Sequence, residues 1–384
     1  MKIWKLICGL IGLAILASNL ATMTRWSERR GVSDDVCYLR QAHLFQKHGL
    51  GGLDTDIARE TDGYFTRLVT ETGHPEWNSA TYVACHPVAA NGKRVLQYPP
   101  GVGFVLALFP EGRQVVPLYT AASLVVLLMG WLAIGLARSR PALLGAAAFS
   151  WLALYFMVNP AKASYSIAPT MAIAAAVGYL TARLFYLRGT RAQMLVTAVI
   201  GLLLGLSVNV RIPNVLLAAG YGGYFLIVFT AARNLRTLLQ GALFGVACIA
   251  GLLPTLIANA INAGSPFATT YGGIDVVPPD FSFSIVGEYL RDLQGILGVA
   301  AILWVTALLL WHRRSALWPV ALITAINLAV NLVFFLSHPV FTQYYLVPIA
   351  MLSLWSLLFA YVMDDRPLSA AGTERSEIRE DAIG

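Results

Sequence analysis

Long apolar segments separated by short polar turns make up most of the chain. Ten of these segments approach the roughly 20 residues that an α-helix needs to cross the hydrocarbon core of a membrane. They lack the short alternation of apolar and polar residues that is typical of membrane β-barrels. The pattern therefore predicts an all-α, polytopic membrane protein with about ten transmembrane helices. The expected segments are residues 3–23, 115–137, 141–158, 165–187, 192–208, 215–231, 238–261, 295–311, 317–336 and 344–363.

The longest interruption between apolar segments is residues 25–100. Within it, apolar residues recur at helical spacing over 36–48, which predicts an amphipathic helix lying near the membrane surface. The apolar stretch 102–109 is too short to span a membrane and is expected to lie at the interface. The sequence thus predicts a large first loop with interfacial helices, and a second sizeable loop over 262–294.

Composition and charge support a membrane location. The chain is 57% hydrophobic and 12% charged, whereas soluble domains carry about 25% charged residues. Its net charge of +7 does not indicate nucleic acid as a partner, because the Lys and Arg residues form short clusters between apolar segments. Such clusters usually remain on the cytoplasmic side. Alternating the helices from a cytoplasmic N-terminus places inside Lys2, Lys5, Arg138, Arg140, Arg183, Arg188, Arg191, Arg233, Arg236, Arg313, Arg314 and Arg366.

This topology predicts a multi-pass protein of the inner (plasma) membrane, with both termini in the cytoplasm and residues 25–100 outside. The N-terminal segment 1–24 has features of a signal peptide, but its apolar stretch is longer than a typical signal core and favours an uncleaved first helix. Residues 1–363 are expected to form one transmembrane domain. The charged segment 364–384, rich in small residues, is expected to be a disordered cytoplasmic tail.

Two adjacent carboxylates, Asp34 and Asp35, stand shortly after the first apolar segment. Acids at the boundary of water and lipid are costly and usually functional. One interpretation is structural, since Ser33 or Asp34 could cap the following helix and acids are favourable in a first helical turn. The other is chemical: one carboxylate takes the proton of an acceptor hydroxyl as a general base. Capping does not require two acids, and it does not exclude catalysis.

The order Asp34, Asp35, Tyr38, Ala42 and Gly49 resembles the first-loop pattern of the GT-C superfamily. It is most similar to bacterial relatives of protein O-mannosyltransferases and aminoarabinose transferases, which are polytopic glycosyltransferases that use polyprenyl-phosphate sugars. Three further stretches agree with that family in their order along the chain and in the side of the membrane on which they are expected. They are Tyr-Pro-Pro-Gly at 98–101, the glycine-containing stretch 201–206 with Arg211 and Pro213, and 259–271 with its Gly-Ser-Pro element.

The resemblance implies a GT-C-like fold and a general base at Asp34, with Asp35 as its neighbour, holding its orientation or an acceptor hydroxyl. A donor phosphate needs cations. Lys93 or Arg94 is a candidate, although Tyr98 stands where relatives often carry Lys just before the prolines. Arg211 at a helix break is a second candidate because an Arg fork suits phosphate; its alternative is snorkelling to the interface. The implied substrate-binding set is Tyr38, Lys93, Arg94, Tyr98, Arg211, His338 and Tyr344.

Three departures from that family concern the acceptor and the subfamily. Relatives often have Arg-Tyr-x-x-Pro near the last outer turn; here Tyr344 occupies the Arg position, with His338 or Gln343 as alternatives for its role. Relatives also commonly carry an acid between the third and fourth helices, whereas residues 159–169 contain none. No large C-terminal soluble domain, which relatives carry, is expected after the last apolar segment.

Cysteines and histidines of the first loop add one open question and one exclusion. Cys37 and Cys85 could pair if the loop faces an oxidising compartment, although a loop of this size need not be cross-linked. Neither a metal site nor another cofactor is expected. The loop's histidines lack the tight spacing of zinc ligands; they are His43, His48, His74 and His86.

We therefore expect an inverting, metal-independent glycosyltransferase. It would move a sugar from a polyprenyl-phosphate donor to a hydroxyl of a glycan, lipid or protein acceptor at the extracytoplasmic face of the bilayer. A transporter or flippase is the main alternative; it would predict broken helices and charged residues in mid-membrane. A catalytically idle scaffold is a third possibility. The polar groups cluster on one face, which favours the enzyme.

Overall fold

The computed structural model describes residues 1–26, 33–79, 82–157, 164–271, 278–291, 293–311, 317–338 and 345–364. Regular structure in these ranges is helical, apart from two isolated β-bridges that join Asn78 to Val83 and Val88 to Arg94. The α-helices of the described ranges are α1 (Lys2–Met23), α2 (Ser33–His48), α3 (Tyr64–Glu71), α4 (Gly101–Leu106), α5 (Val115–Leu136), α6 (Arg140–Met157), α7 (Ile167–Tyr186), α8 (Thr190–Val210), α9 (Ala219–Ala232), α10 (Leu235–Ala263), α11 (Phe283–Leu290), α12 (Leu293–Trp311), α13 (Leu317–Leu336) and α14 (Val347–Asp364).

Eight helical segments of the described ranges are long and apolar enough to cross a membrane. They are α1, α5, α7, α8, the segment Ile212–Ala232 that ends in α9, α10, α13 and α14. A bent pair, Phe283–Leu290 with Gly295–Leu310, would add a ninth span. The chain is thus an all-helical, multi-pass membrane protein, as its hydropathy pattern predicts. The count of ten spans stays a prediction, as do the domain boundaries. The tail 365–384 lies outside the described residues.

Small residues bring α8 and α10 into close contact. A Cβ atom at Gly205 would lie 2.0 Å from the carbonyl oxygen of Cys248, and one at Gly251 would lie 2.5 Å from that of Leu202. Only glycine permits this approach, which is how many membrane helices pack in the absence of a hydrophobic driving force. The two helices therefore form a tightly joined pair.

The side chain of Asn209, near the end of α8, fills a gap in the backbone hydrogen bonds of α10. Pro254 interrupts α10 and distorts its hydrogen-bond ladder. The Asn209 side chain stands in the gap: its Nδ2 donates to the Gly251 carbonyl at 2.6 Å, and its Oδ1 accepts from the Thr255 backbone N–H at 2.9 Å. In lipid each backbone group needs such a partner. The bridge fixes the end of α8, directly before Arg211.

The helix α14 is the most buried of the candidate spans. It packs on α7, where a Cβ atom at Gly178 would lie 2.5 Å from the Cβ of Trp355. Trp355 and Phe359 are almost fully buried in this contact region. Tyr345, which lies just before α14, packs against the same hydrophobic core.

The first loop packs around α2. Residues 35–42 are all buried, so the helix expected to lie amphipathically at a surface is instead enclosed by the chain that follows it. A small separate core of apolar side chains forms beside it. Its buried members are Val36, Cys37, Phe65, Val69, Val83, Ala84 and Leu96.

The cysteine pairing left open by the sequence is formed. Cys37 and Cys85 make a disulfide with a Cα–Cα distance of 6.4 Å. The bond ties α2 to the segment that leads to Tyr98. Asn262, near the end of α10, anchors the loop from the other side, because its Oδ1 accepts from the Thr55 backbone N–H at 2.9 Å and its Nδ2 donates to the Leu53 carbonyl at 2.8 Å.

Candidate functional site: a tyrosine-lined pocket at one end of the bundle

A cavity of about 340 Å³ opens where the first loop meets the helix ends. Parts of the chain distant in sequence line it together, from α2 to the residues before α14. Its described lining residues are Asp34, Tyr38, Gln97, Tyr98, Ser164, Ser166, Arg211, Ile212, Pro213, Thr269, Tyr271, Tyr289, Phe334, Phe335, His338 and Tyr345. Four of the seven predicted substrate-binding residues line the cavity: Tyr38, Tyr98, Arg211 and His338.

Asp34 is the acidic member of the pocket wall. It lies in the first turn of α2 and is partly exposed. The Tyr98 hydroxyl donates a hydrogen bond to its Oδ1 at 2.6 Å. A carboxylate is favoured at a helix N-terminus by the helix dipole.

Asp35 has a different environment, although it is the next residue. Its side chain is fully buried and accepts a hydrogen bond from the Tyr165 backbone N–H at 3.0 Å. Successive side chains on an α-helix point about 100° apart, so the two acids face different partners. Asp35 joins α2 to the start of the α7 region and is not among the pocket's lining residues.

Phenol rings surround Asp34. The Tyr38 and Tyr98 rings lie 5.0 Å apart, and the Tyr98 and Tyr271 rings lie 6.1 Å apart. Burial raises the pKa of both Tyr38 and Tyr98 well above the usual value, and the nearby Asp34 charge raises each further. The phenols are therefore protonated at physiological pH, and that of Tyr98 donates its hydrogen bond to Asp34.

Arg211 is the cation of the pocket. It follows α8 in extended conformation, and only 6% of its surface is exposed. Its guanidinium carbon lies 4.2 Å from the centre of the Tyr345 ring, a cation–π contact. Asn214 holds the chain on the other side of the break, where its Nδ2 donates to the Ser207 carbonyl at 2.9 Å. Arg211 is thus a buried cation at a helix break in the wall of the cavity.

His338 also lines the pocket, at the end of α13. Its ring stacks on Phe334 with a centroid distance of 4.4 Å, and its Nδ1 lies 2.6 Å from the Phe334 carbonyl oxygen. Tyr344, predicted to bind substrate, lies outside the described residues, as does Gln343.

Lys93 and Arg94 lie elsewhere in the first loop. The Lys93 Nζ is 3.9 Å from Oδ2 of Asp54, and the Arg94 carbonyl accepts from the Ile57 backbone N–H at 2.9 Å. Neither is among the lining residues of the pocket. Their predicted phosphate contacts stay predictions without geometric support.

Sequence reasoning missed a buried polar cluster behind α2. Arg40 is fully buried, and its Nε donates to Glu60 Oε2 at 2.9 Å. Its Nη1 donates to His86 Nε2 at 2.9 Å, while His86 Nδ1 donates to the Ala84 carbonyl at 2.6 Å. No pattern in the sequence marked this cluster, because Arg40 is one of several polar residues in α2, among them Gln41 and His43. Burial and the Arg40 charge lower the pKa of His86 to about 3.

An apolar groove of about 290 Å³ lies along α11 and α13. The same two helices supply Tyr289, Phe334 and Phe335 to the tyrosine-lined pocket. Phe281 and Phe283 are 72% and 93% exposed, which marks the groove as open to its surroundings. Its lining residues are Phe281, Ser282, Phe283, Val286, Leu332, Val333 and Leu336.

Comparisons of the chain with protein-family models, with curated proteins and with solved structures found no match. Within the described residues, no group of three or more His, Cys, Asp or Glu side chains is arranged to hold a metal ion. What the site can do is therefore inferred from its described lining residues, which include one acid, one arginine and several phenols around a cavity beside an apolar groove.

Proposed function

We propose that the protein is a GT-C-like membrane glycosyltransferase. It moves a sugar from a polyprenyl-phosphate donor to an acceptor hydroxyl, with inversion and with Asp34 as general base. The observation that carries this proposal is that Asp34 and Arg211 both line the same cavity. A base for the acceptor and a cation for the leaving phosphate are the two charges that such a transfer needs.

The proposed reaction balances with these groups alone. The acceptor hydroxyl gives its proton to Asp34 while its oxygen bonds to the anomeric carbon. The bond between that carbon and the phosphate oxygen breaks, and its electron pair leaves with the polyprenyl phosphate. Arg211 stabilises the leaving phosphate, for which the guanidinium fork is well suited. Because attack and departure occur on opposite sides of the carbon, the anomeric configuration inverts.

The apolar groove supports a lipid-linked donor. It is lined by α11 and α13, which also contribute to the pocket. A polyprenyl chain lying along this groove would have its phosphate at the pocket, near the one buried Arg of the pocket's described lining. The ring-lined pocket offers the flat apolar faces and hydroxyl donors that suit a sugar.

Two observations support an extracytoplasmic site. The disulfide of Cys37 and Cys85 is typical of an oxidising compartment. The Arg clusters between α5 and α6, and between α7 and α8, favour the cytoplasm for those turns. We therefore propose that the first loop faces outward from the inner (plasma) membrane and that the N-terminus is cytoplasmic.

The test is transfer of labelled sugar from polyprenyl-phosphate donors by the purified protein in lipid vesicles. Asp34→Asn should reduce turnover by about 10² to 10⁴, the usual contribution of a general base. Asp280→Asn is the matched control, because it makes the same change at an exposed acid and should leave turnover unchanged. Transfer that survives Asp34→Asn would refute the assignment. Mass spectrometry of envelope glycans from cells with and without the protein would identify the sugar and its acceptor.

A transporter is the second candidate, and specific observations favour it. The chain breaks at Arg211 between α8 and the following helix, and Pro254 interrupts α10. Broken spans that carry a charged residue are a feature of secondary transporters. Flux of a lipid-linked sugar across vesicles, unchanged by Asp34→Asn, would favour this candidate. Absence of any flux with the wild-type protein, together with loss of sugar transfer in Asp34→Asn, would exclude the transporter.

A further inference from the structure

We propose that Tyr98 is a positioning residue for the general base: its phenol holds one carboxylate oxygen of Asp34 and sets the orientation and basicity of that carboxylate. The inference rests on the proposed function and gives Tyr98 a role other than the donor contact implied by the family resemblance. The direct observation is the 2.6 Å hydrogen bond from the Tyr98 hydroxyl to Asp34 Oδ1.

The backbone around Tyr98 is held on several sides. The Leu96 N–H donates to Thr55 Oγ1 at 3.0 Å, and the Gln97 N–H donates to the Cys85 carbonyl at 3.0 Å. The Gln97 carbonyl accepts from Thr270 Oγ1 at 2.9 Å. Pro99 follows and restricts the backbone of Tyr98 to extended conformations. The phenol is therefore delivered to Asp34 by a segment with little freedom.

The ring of Tyr98 is fixed as well. It packs between the Tyr38 ring, 5.0 Å away, and the Tyr271 ring, 6.1 Å away. Burial and the Asp34 charge keep the phenol protonated, because they raise its pKa well above the usual value. An ionised carboxylate can only accept, so the direction of the hydrogen bond is fixed from Tyr98 to Asp34.

This arrangement has two chemical consequences. A donor to the charged form of a carboxylate favours that form, so Tyr98 keeps Asp34 ready to accept a proton at lower pH than it otherwise would. The bond also fixes the plane of the carboxylate, which a base needs in order to meet the acceptor hydroxyl at hydrogen-bond distance. Both effects act on turnover through Asp34.

The experiment compares Tyr98→Phe with Tyr82→Phe, which removes the same oxygen from a 54% exposed ring in the same loop. In Tyr98→Phe, kcat should fall by about tenfold, and the acid limb of its pH profile should move up by about one unit, since a hydrogen bond to a charged group is of that size. KM for the donor should change by less than about twofold, because the variant keeps the contacts that bind the ground state and the transition state equally. Tyr82→Phe should match the wild type.

Replacing Tyr98 by 3-fluorotyrosine provides a second variant that keeps the hydroxyl and the ring. Its more acidic phenol is a stronger donor, so the acid limb should move down, opposite to Tyr98→Phe. A raised KM for the donor in Tyr98→Phe, with the acid limb of the pH profile unchanged, would overturn the inference. It would indicate instead that Tyr98 contacts the donor. Wild-type kinetics in Tyr98→Phe would also overturn it.

An infrared titration separates failure of this inference from failure of the proposed function. The carboxylate band that Asp34→Asn removes is followed against pH in wild type and in Tyr98→Phe, without substrate. A shift of that titration to higher pH in Tyr98→Phe supports the Tyr98–Asp34 bond whatever reaction the protein performs. An identical titration in the two proteins would overturn it, even if Asp34→Asn abolishes sugar transfer.

Discussion

The two faces of α2 differ in what they contribute. Asp34 and Tyr38 form its pocket face and line the cavity. Val36, Cys37 and Arg40 form its loop face, which is buried against the first loop. The pocket face presents an acid and a phenol to the cavity, whereas the loop face presents a disulfide and a buried arginine that contact other parts of the protein.

Under the proposed function, the pocket face of α2 carries the chemistry, whereas its loop face contributes to stability. Changes on the pocket face should alter turnover with little effect on unfolding, and changes on the loop face should do the reverse. Asp35 lies between these cases, since it bonds to the Tyr165 backbone outside both faces.

The largest effect is expected for Arg40→Met. It removes the fully buried partner of an ion pair and leaves Glu60 Oε2 and His86 Nε2 without their Arg40 donors, which should lower the free energy of unfolding by about 3 to 5 kcal/mol. Arg59→Met is the matched control, because Arg59 pairs with Asp54 at a partly exposed site and should cost less than about 1 kcal/mol. Equal melting temperatures of the two variants in detergent micelles would contradict the assignment of faces.

The next effect concerns the disulfide. A Cys37→Ala/Cys85→Ala double variant removes a cross-link that spans 48 residues, and unfolding should become easier by about 2 to 4 kcal/mol. Denaturant titration of the folded protein measures the change. Reductant should destabilise the wild type and leave the double variant unaffected; a response to reductant in the variant would show that the effect arises elsewhere.

A pH effect follows from His86. Its pKa in the folded protein, about 3, is below the value of about 6.5 in an unfolded chain. As pH falls below 6.5 the unfolded state binds a proton that the folded state does not, so stability declines from about pH 6.5 down to about 3. The loss should reach about 2 kcal/mol at pH 5.

The pH effect is checked by melting temperature across pH 4.5 to 8. His86→Gln should flatten the decline in this range, whereas His74→Gln, at an exposed ring of the same loop, should leave it unchanged. A decline of equal slope in His86→Gln would assign the acid sensitivity to other groups.

The smallest effect is expected for Asp35→Asn. The amide oxygen can still accept from the Tyr165 N–H, but the bond loses its charge, so about 1 kcal/mol of stability should be lost. Turnover should stay within about tenfold of the wild type, in contrast to Asp34→Asn. A loss of turnover as large as that of Asp34→Asn would place Asp35 in the chemistry.

The hydropathy pattern was sufficient for much of the fold. The helix expected over 317–336 is α13, Leu317–Leu336, and the expected break near Arg211 is present. Long apolar segments are predictable because their length and composition are set by the membrane. The polar loop carries no such constraint, which is why the enclosed state of α2 was not predicted.

Residues of the candidate site could be predicted where a charged side chain stands at a position that is energetically costly for a charge. Asp34 and Arg211 were identified because charges near lipid need a reason, and both line the pocket. Lys93 and Arg94 were chosen by their distance in sequence from the prolines, yet the turn closed by the Val88–Arg94 bridge leaves them outside the pocket's described lining. Tyr271 ends the stretch 259–271 that resembles the family's loop, but it was not singled out as a site residue. Tyr289 gave no signal, because a tyrosine near a helix end is ordinary in any membrane protein.

The small core beside α2 has a consequence for biosynthesis. All its buried members lie between residues 36 and 96, so this unit is complete before α5 has been made. Chains fold from the N-terminus during synthesis when a segment can form its own core. The loop can therefore close its disulfide and bury Arg40 early, and the contacts with Tyr165 and Asn262 join it to the later helices afterwards.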